Sequence, residues 1–212
     1  MNPQLFINYS DEQKFWRSCV QKAVFLFNRK DKNTLLCPRK VNGVDVNKTH
    51  RAWGAASERA IAHRLAIYLE QVLIRQGLVG RGSSLAVDCE YNRHLDNVKT
   101  QRIPHELSDI VEKAKRKMIE SNTEEYGMIS VAPDIVVHRR GDDADNCLVI
   151  ELKKRSNPEI REYDELKLKT FTKATCDGFG YKLGVAVEAI DDVRVEKRKL
   201  AIAKCFANGS EL

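Results

Sequence analysis

Two short apolar runs, each bounded by charge, constrain this chain more than anything else in it. Ile135, Val136 and Val137 follow Pro133 and Asp134; Cys147 to Ile150 lead into Glu151, Leu152, Lys153 and Lys154. The runs are short and rich in β-branched residues, and Gly141 to Asn146 between them are polar. That pattern predicts a β-hairpin with strands over Ile129–Arg139 and Cys147–Lys154. Side chains alternate along a strand, so Cys147, Val149, Glu151 and Lys153 share one face and Leu148, Ile150 and Leu152 the other. An otherwise apolar strand thus ends with a carboxylate and an amine side by side. Asp134 heads the partner strand behind a proline that has no amide proton for a ladder. A tight turn would bring Asp134 toward Glu151.

Around the hairpin, hydrophobic periodicity predicts helices over residues 11–28, Ala52–Arg75 and Glu159–Lys173. Gly77 and Gly80 stop the second, and Pro158 opens the third. Further strands are expected at Leu85–Tyr91, Gly180–Ile190 and, singly or as a pair, Val193–Phe206. Asn28–Thr49 reads as a polar connection. A charged helix over Glu106–Glu120, opened by Pro104, reads as a surface insertion around 93–123. Helices interleaved with strands imply an α/β fold with a mixed sheet flanked by helices. Residues 1–50 are expected to pack on a core domain of 51–212.

One acid stands out on the second helix. At about 100 degrees per residue, Ile61, Ala62, Leu65, Leu69, Val72 and Leu73 all fall within about 60 degrees of Glu58. Arg59, His63, Arg64 and Glu70 fall outside that stripe. Glu58 is therefore aimed at the core, where a lone carboxylate needs a metal, a cation or a hydrogen bond. The alternative is a surface acid favoured by the positive end of the helix.

Two carboxylates with an amine nearby suit a divalent metal and a phosphodiester. Mg²⁺ takes one or two protein carboxylates, with waters and substrate phosphate completing its octahedron. Asp134 and Glu151 could supply them, and Lys153 could hold the attacking water or offset charge in the transition state. A surface Glu–Lys pair at a strand end is the plain alternative. Other candidates are Asp164 and Lys167, on one helical face with Ile160, Leu168 and Phe171; they could edge the site, contact phosphate, or form an ordinary ion pair. Asp88 or Glu90, two apart on the first strand, could replace Glu58. Lys154, Arg155 and the run Lys197, Arg198 and Lys199 could track a nucleic-acid backbone, or be solvated strand ends. His94, His105 and His138 show no metal spacing and are expected at the surface, and Tyr91 and Tyr181 in the core or at its rim.

Pro133, Asp134, Glu151, Leu152 and Lys153 together resemble the signature of the PD-(D/E)xK nuclease superfamily, which shares the restriction-endonuclease-like fold. The resemblance spans about Ala52 to Ile190, with Glu58 at the position of the family's helical acid. It implies a Mg²⁺-dependent deoxyribonuclease, with Mn²⁺ able to substitute. It implies that Asp134, Glu151 and the Leu152 carbonyl hold the metal, that Glu58 assists the metal or its water, and that Lys153 assists the nucleophile. It further implies products with 5′-phosphate and 3′-hydroxyl ends, in DNA defence, processing or repair. A catalytically weak binding or interaction subunit of the same fold, and a nuclease acting on RNA, stay open.

Composition narrows the setting. The net charge of +6 and pI of about 9.0 favour polyanions. Apolar runs reach only five residues (Ala23–Phe27), far short of the ~20 of a membrane span. The first residues show no secretory pattern. Six cysteines, Cys19, Cys37, Cys89, Cys147, Cys176 and Cys205, form no Cys-x-x-Cys pair, which argues against a zinc site and against an iron–sulfur cluster. The expectation is a cytoplasmic protein with reduced thiols, acting on DNA ahead of RNA, as a homodimer or with a targeting partner, and away from membranes.

Overall fold

The computed structural model describes residues 9–36, 56–91, 131–142, 144–155, 161–174, 178–192 and 194–212 (Val195 by its backbone alone). It also describes the strand backbone at 40–41, 44–45, 93–94, 97–98, 100–104, 118–119 and 126–130. The helices are α1 (Asp11–Lys30), α2 (Lys32–Leu35), α3 (Glu58–Arg75) and α4 (Arg161–Thr172). The strands are β1 (Lys40–Val41), β2 (Val44–Asp45), β3 (Leu85–Cys89), β4 (Arg93–His94), β5 (Asn97–Val98), β6 (Thr100–Pro104), β7 (Met118–Ile119), β8 (Tyr126–Ser130), β9 (Ile135–Arg139), β10 (Leu148–Lys154), β11 (Leu183–Ile190), β12 (Lys199–Ala207) and β13 (Ser210–Glu211).

The fold is mixed α/β around one six-stranded sheet, in the order β13-β12-β11-β10-β9-β3. β3, β9 and β10 form an antiparallel meander. α4 then carries the chain to β11, which runs parallel to β10, and β12 returns antiparallel. Leu148, Ile150 and Leu152 of β10 pack toward α1 and α3, while Val149 packs toward Tyr163, Leu168 and Phe171 of α4. The alternation follows from the pleat. Cys147 departs from it: it precedes the strand and joins the α1/α3 side.

Local chemistry moved several boundaries. α3 begins at Glu58 rather than Ala52, because Ser57 is extended and its hydroxyl accepts from the Ala60 amide (3.2 Å), an N-cap. α1 outruns the expected end at Asn28, and its Asn28 amide bonds both backbone groups of Leu200 in β12 (2.7 and 2.9 Å). The expected strand Ile129–Arg139 is two strands. β8 pairs with β6 and β7 in a separate three-stranded sheet, and only β9 joins the main one. The expected helix Glu106–Glu120 lies largely outside the described residues, and its C-terminal end at Met118–Ile119 is strand. His138 is not at the surface: it is 3% exposed and bonded to Asp88 (3.0 Å). Val193–Phe206 divides into a 3₁₀ turn, Val195–Lys197, and β12. Asn208 and Gly209, with φ of 51° and 78°, then make a two-residue hairpin turn to β13.

α4 sits close to the sheet because β11 has a glycine beneath it. A Cβ on Gly184 would lie 3.0 Å from Thr172 Cγ2 and 3.3 Å from Leu168 Cδ2. Gly184→Ala is therefore expected to destabilise the fold by about 1–3 kcal/mol through overpacking, read as a lower urea midpoint with unchanged slope. A midpoint at or above the wild-type value would show that the helix can move off without cost.

Candidate active site

The β9–β10 ladder stops at Ile150↔Ile135, whereas β10 continues along β11 to Lys154↔Ala189. On its β9 side the end of β10 thus carries backbone amides with no strand among the described residues to meet them, and buried amides need acceptors. Two carboxylates serve. Asp134 Oδ2 accepts from the Leu152 amide (2.6 Å), and Glu58 Oε1 accepts from the Lys154 amide (2.9 Å). Asp134 arrives from the residue before β9 and Glu58 from the first turn of α3. Glu58 lies at the positive end of its helix, with its side chain 29% exposed, so it is both a helix-end acid and an inward one.

Glu151 points to the α4 face and is 4% exposed. Its Oε2 accepts from Lys167 Nζ (2.6 Å), and its buried Oε1 has no partner among the described residues. Lys167 Nζ also lies 3.2 Å from Asp164 Oδ1. Lys153 Nζ stands 3.6 Å from Glu58 Oε2 and 3.9 Å from Asp164 Oδ2, joining the α3 acid to the α4 acid across the strand end. Glu58, Asp134, Glu151, Lys153, Asp164 and Lys167 therefore form one cluster from four elements.

Four carboxylates face two ammonium groups, so full ionisation leaves two negative charges in excess. The acid–base equilibria carry that imprint. Burial pushes Asp134 up to about 6, with the Asp164 and Glu58 charges adding to it against the pull of Lys167 and the Leu152 amide. Burial likewise raises Glu151 well above the carboxylate range, with Asp134 and Asp164 adding and Lys167 opposing. Burial works against a charged Lys167, but Glu151, Asp164 and Asp134 outweigh it and raise its pKa too. Lys167, raised against the pull of its own burial, marks an excess of negative potential that a cation would relieve.

Among the described residues, no three His, Cys, Asp or Glu side chains are gathered as a metal ligand set. The oxygens of Asp134 and Glu151, with Glu151 Oε1 buried and unbonded, are hard donors in the number that Mg²⁺ takes from a protein. Two cavities flank the cluster. One, of about 390 Å³, lies against Asp134 between Ser57, Arg59, His63 and Glu90. The other, of about 90 Å³, reaches Glu151, Lys153 and Asp164 between α4 and β11.

Of the remaining candidates, Lys167 joins the cluster and the others lie outside it. Asp88 is held by Arg140 (2.5 and 2.7 Å) and His138, and Glu90 by Arg59 (2.5 Å), so neither joins the cluster. Lys167, expected as a phosphate contact, is 5% exposed and inside the cluster. Lys154 Nζ is 3.7 Å from Asp191 Oδ2, Arg155 is exposed, and Arg198 is 6% exposed. The signal for Lys167 was available in the sequence: a lysine on the face of α4 that carries Leu168 and Phe171 is an inward cation, just as Glu58 is an inward acid. No family model, no curated protein and no solved structure matches this chain.

Proposed function

We propose that the protein is a metal-dependent nuclease that hydrolyses phosphodiester bonds in DNA. One observation carries the reading. Asp134, Glu151 and Lys153 belong to one charged cluster at the end of β10, with two negative charges in excess and one buried carboxylate oxygen unbonded among the described residues. The order α3, β3, β9, β10, α4, β11, with β10 and β11 parallel, supports it as an arrangement similar to the PD-(D/E)xK core.

In this reading Asp134, Glu151 and the Leu152 carbonyl hold Mg²⁺, or Mn²⁺ in its place. When bound, the metal would polarise a phosphoryl oxygen and make its water a better nucleophile. Lys167 holds Glu151 Oε2, which leaves Oε1 as the free donor. Glu58 and Asp164 hold the Lys153 ammonium at the strand end. There it can orient the attacking water or offset charge on the phosphate. Lys154 and Arg155 continue from the site as backbone contacts. Among the described residues no helix is long and apolar enough to cross a membrane.

The test is direct. Purified protein is incubated with linear, circular and single-stranded DNA and with RNA, with Mg²⁺, Mn²⁺ or EDTA. Cleavage of DNA that EDTA abolishes, and that Asp134→Ala and Lys153→Ala each reduce by at least ~100-fold, is the expected result. Cleavage surviving both substitutions would place the chemistry elsewhere. A second reading, an interaction subunit of the same fold, draws on the bonds that Asp134 and Glu58 make to backbone amides, which would lock the strand end without any metal. Nucleic-acid binding without cleavage of any substrate would favour it.

A further inference from the structure

Just past the cluster, β10 runs into a recess of about 580 Å³ walled by Arg155, Arg194, Lys197 and Lys199, with Asp192, Glu196 and Ile190. Four cations thus face two carboxylates. The frame is firm. The Arg155 amide donates to the Ala189 carbonyl (2.8 Å), and Arg198, itself buried, donates from Nε to the Asp192 carbonyl (2.8 Å). Arg194 is pinned to Asp192 (3.0 and 3.1 Å), which uses up that acid. Arg155, Lys197 and Lys199 are exposed and make no ion pair among the described residues. By contrast, the cations nearer the cluster, Arg59, Arg161 and Lys204, are paired with Glu90, Glu188 and Glu165. The positive charge left for a partner on this flank is therefore gathered in the recess.

We propose that this recess holds backbone phosphates of the same nucleic-acid strand, fewer than four nucleotides from the bond that is cut. Arg155 follows Glu151 by four residues, about 13 Å of extended chain at roughly 3.3 Å per residue. Successive phosphates of one strand lie further apart than the ~3.4 Å axial rise per nucleotide, so this distance spans fewer than four of them. The inference rests on the nuclease reading and adds to it a direction, from the cluster along β10 toward the turn before β12. It concerns the phosphodiester backbone, which DNA and RNA share.

The experiment measures binding of labelled DNA and RNA duplexes in EDTA across a salt series, beside cleavage in Mg²⁺. The variant Arg155→Ala/Lys197→Ala/Lys199→Ala is compared with wild type and with Lys22→Ala/Arg75→Ala, which removes two exposed cations from a separate recess between α1 and α3. The triple variant is expected to bind at least ~10-fold more weakly, with the slope of log K against log salt shallower by about 2–3, near 0.9 for each phosphate no longer neutralised. The control should match wild type. An effect on both duplexes, or on one alone, supports the site and names its source. A triple variant with the wild-type slope, while wild type still cuts, overturns this inference and leaves the nuclease reading intact. So does a control variant that carries the same weakening. A wild-type protein that neither binds nor cuts either nucleic acid overturns both.

Discussion

Lys167→Met is expected to destabilise the protein by about 3–5 kcal/mol at neutral pH, the cost of leaving a buried charge without its partner. The Lys167 side chain is 6% exposed and the Glu151 side chain 4%, with 2.6 Å between Nζ and Oε2. Water cannot replace the missing ammonium there, and Asp134 and Asp164 add to the repulsion that Glu151 would face. The pair itself is a different matter. Replacing both members by apolar groups of similar size is often neutral, so Glu151→Leu/Lys167→Met should recover most of the stability. Urea unfolding of wild type, the two single variants and the double variant closes the cycle. Additive effects would mean that the two side chains do not depend on one another, and that the cluster is not held by their charge pairing.

Glu151→Gln should have the larger effect on function. It keeps the shape of the side chain and an oxygen for Lys167 but removes the charge that a divalent metal needs, so metal-dependent cleavage is expected to fall by about 10²–10³-fold or more. The pH dependence provides a second readout. Asp134 titrates at about 6 in the metal-free fold. A metal must displace its proton below that pH, so apparent Mg²⁺ affinity and cleavage should fall by up to ~10-fold per unit as pH drops through 6. Stability of the metal-free protein should run the other way. A carboxyl whose folded pKa lies above its ordinary 3.8 makes the fold more stable as pH falls from 6 to about 3.8, and adds nothing further below. Asp88 and Asp31, held below the carboxylate range by their Arg partners, pull in the opposite sense in acid. The Asp134 contribution is therefore read as the difference between wild type and Asp134→Asn. Parallel pH profiles for the two proteins would remove Asp134 as the titrating group.

The hairpin, the two helices that cover the α1/α3 side of the sheet, and the inward direction of Glu58 are all local matters of period. A strand repeats every two residues and a helix every 3.6, so the face on which each side chain falls can be counted along the chain. Boundaries were less legible, because they rest on single contacts. The Ser57 hydroxyl starts α3, and the break between β8 and β9 comes from two different sheets claiming the two ends of one apolar stretch. Sequence reasoning passed over Asn208 and Gly209, whose tight turn makes the last hairpin.

What this chain's sequence determined by itself is which residues have chemistry to offer and which way they face: Asp134 at the head of one strand, Glu151 and Lys153 at the end of the next, and Glu58 inward on a helix. What the tertiary structure decided is which of them meet. The β9 ladder ends two residues before Leu152, so the unpaired amides of β10 draw in Asp134 and Glu58 and not Asp88 or Glu90. The close seat of α4 over Gly184 brings Lys167 to Glu151, so that a lysine expected to edge the site, contact phosphate or form an ordinary ion pair is the buried partner of the central acid. Both outcomes depend on distances between segments far apart in the chain, set by strand length and packing, which no periodicity within one segment can encode.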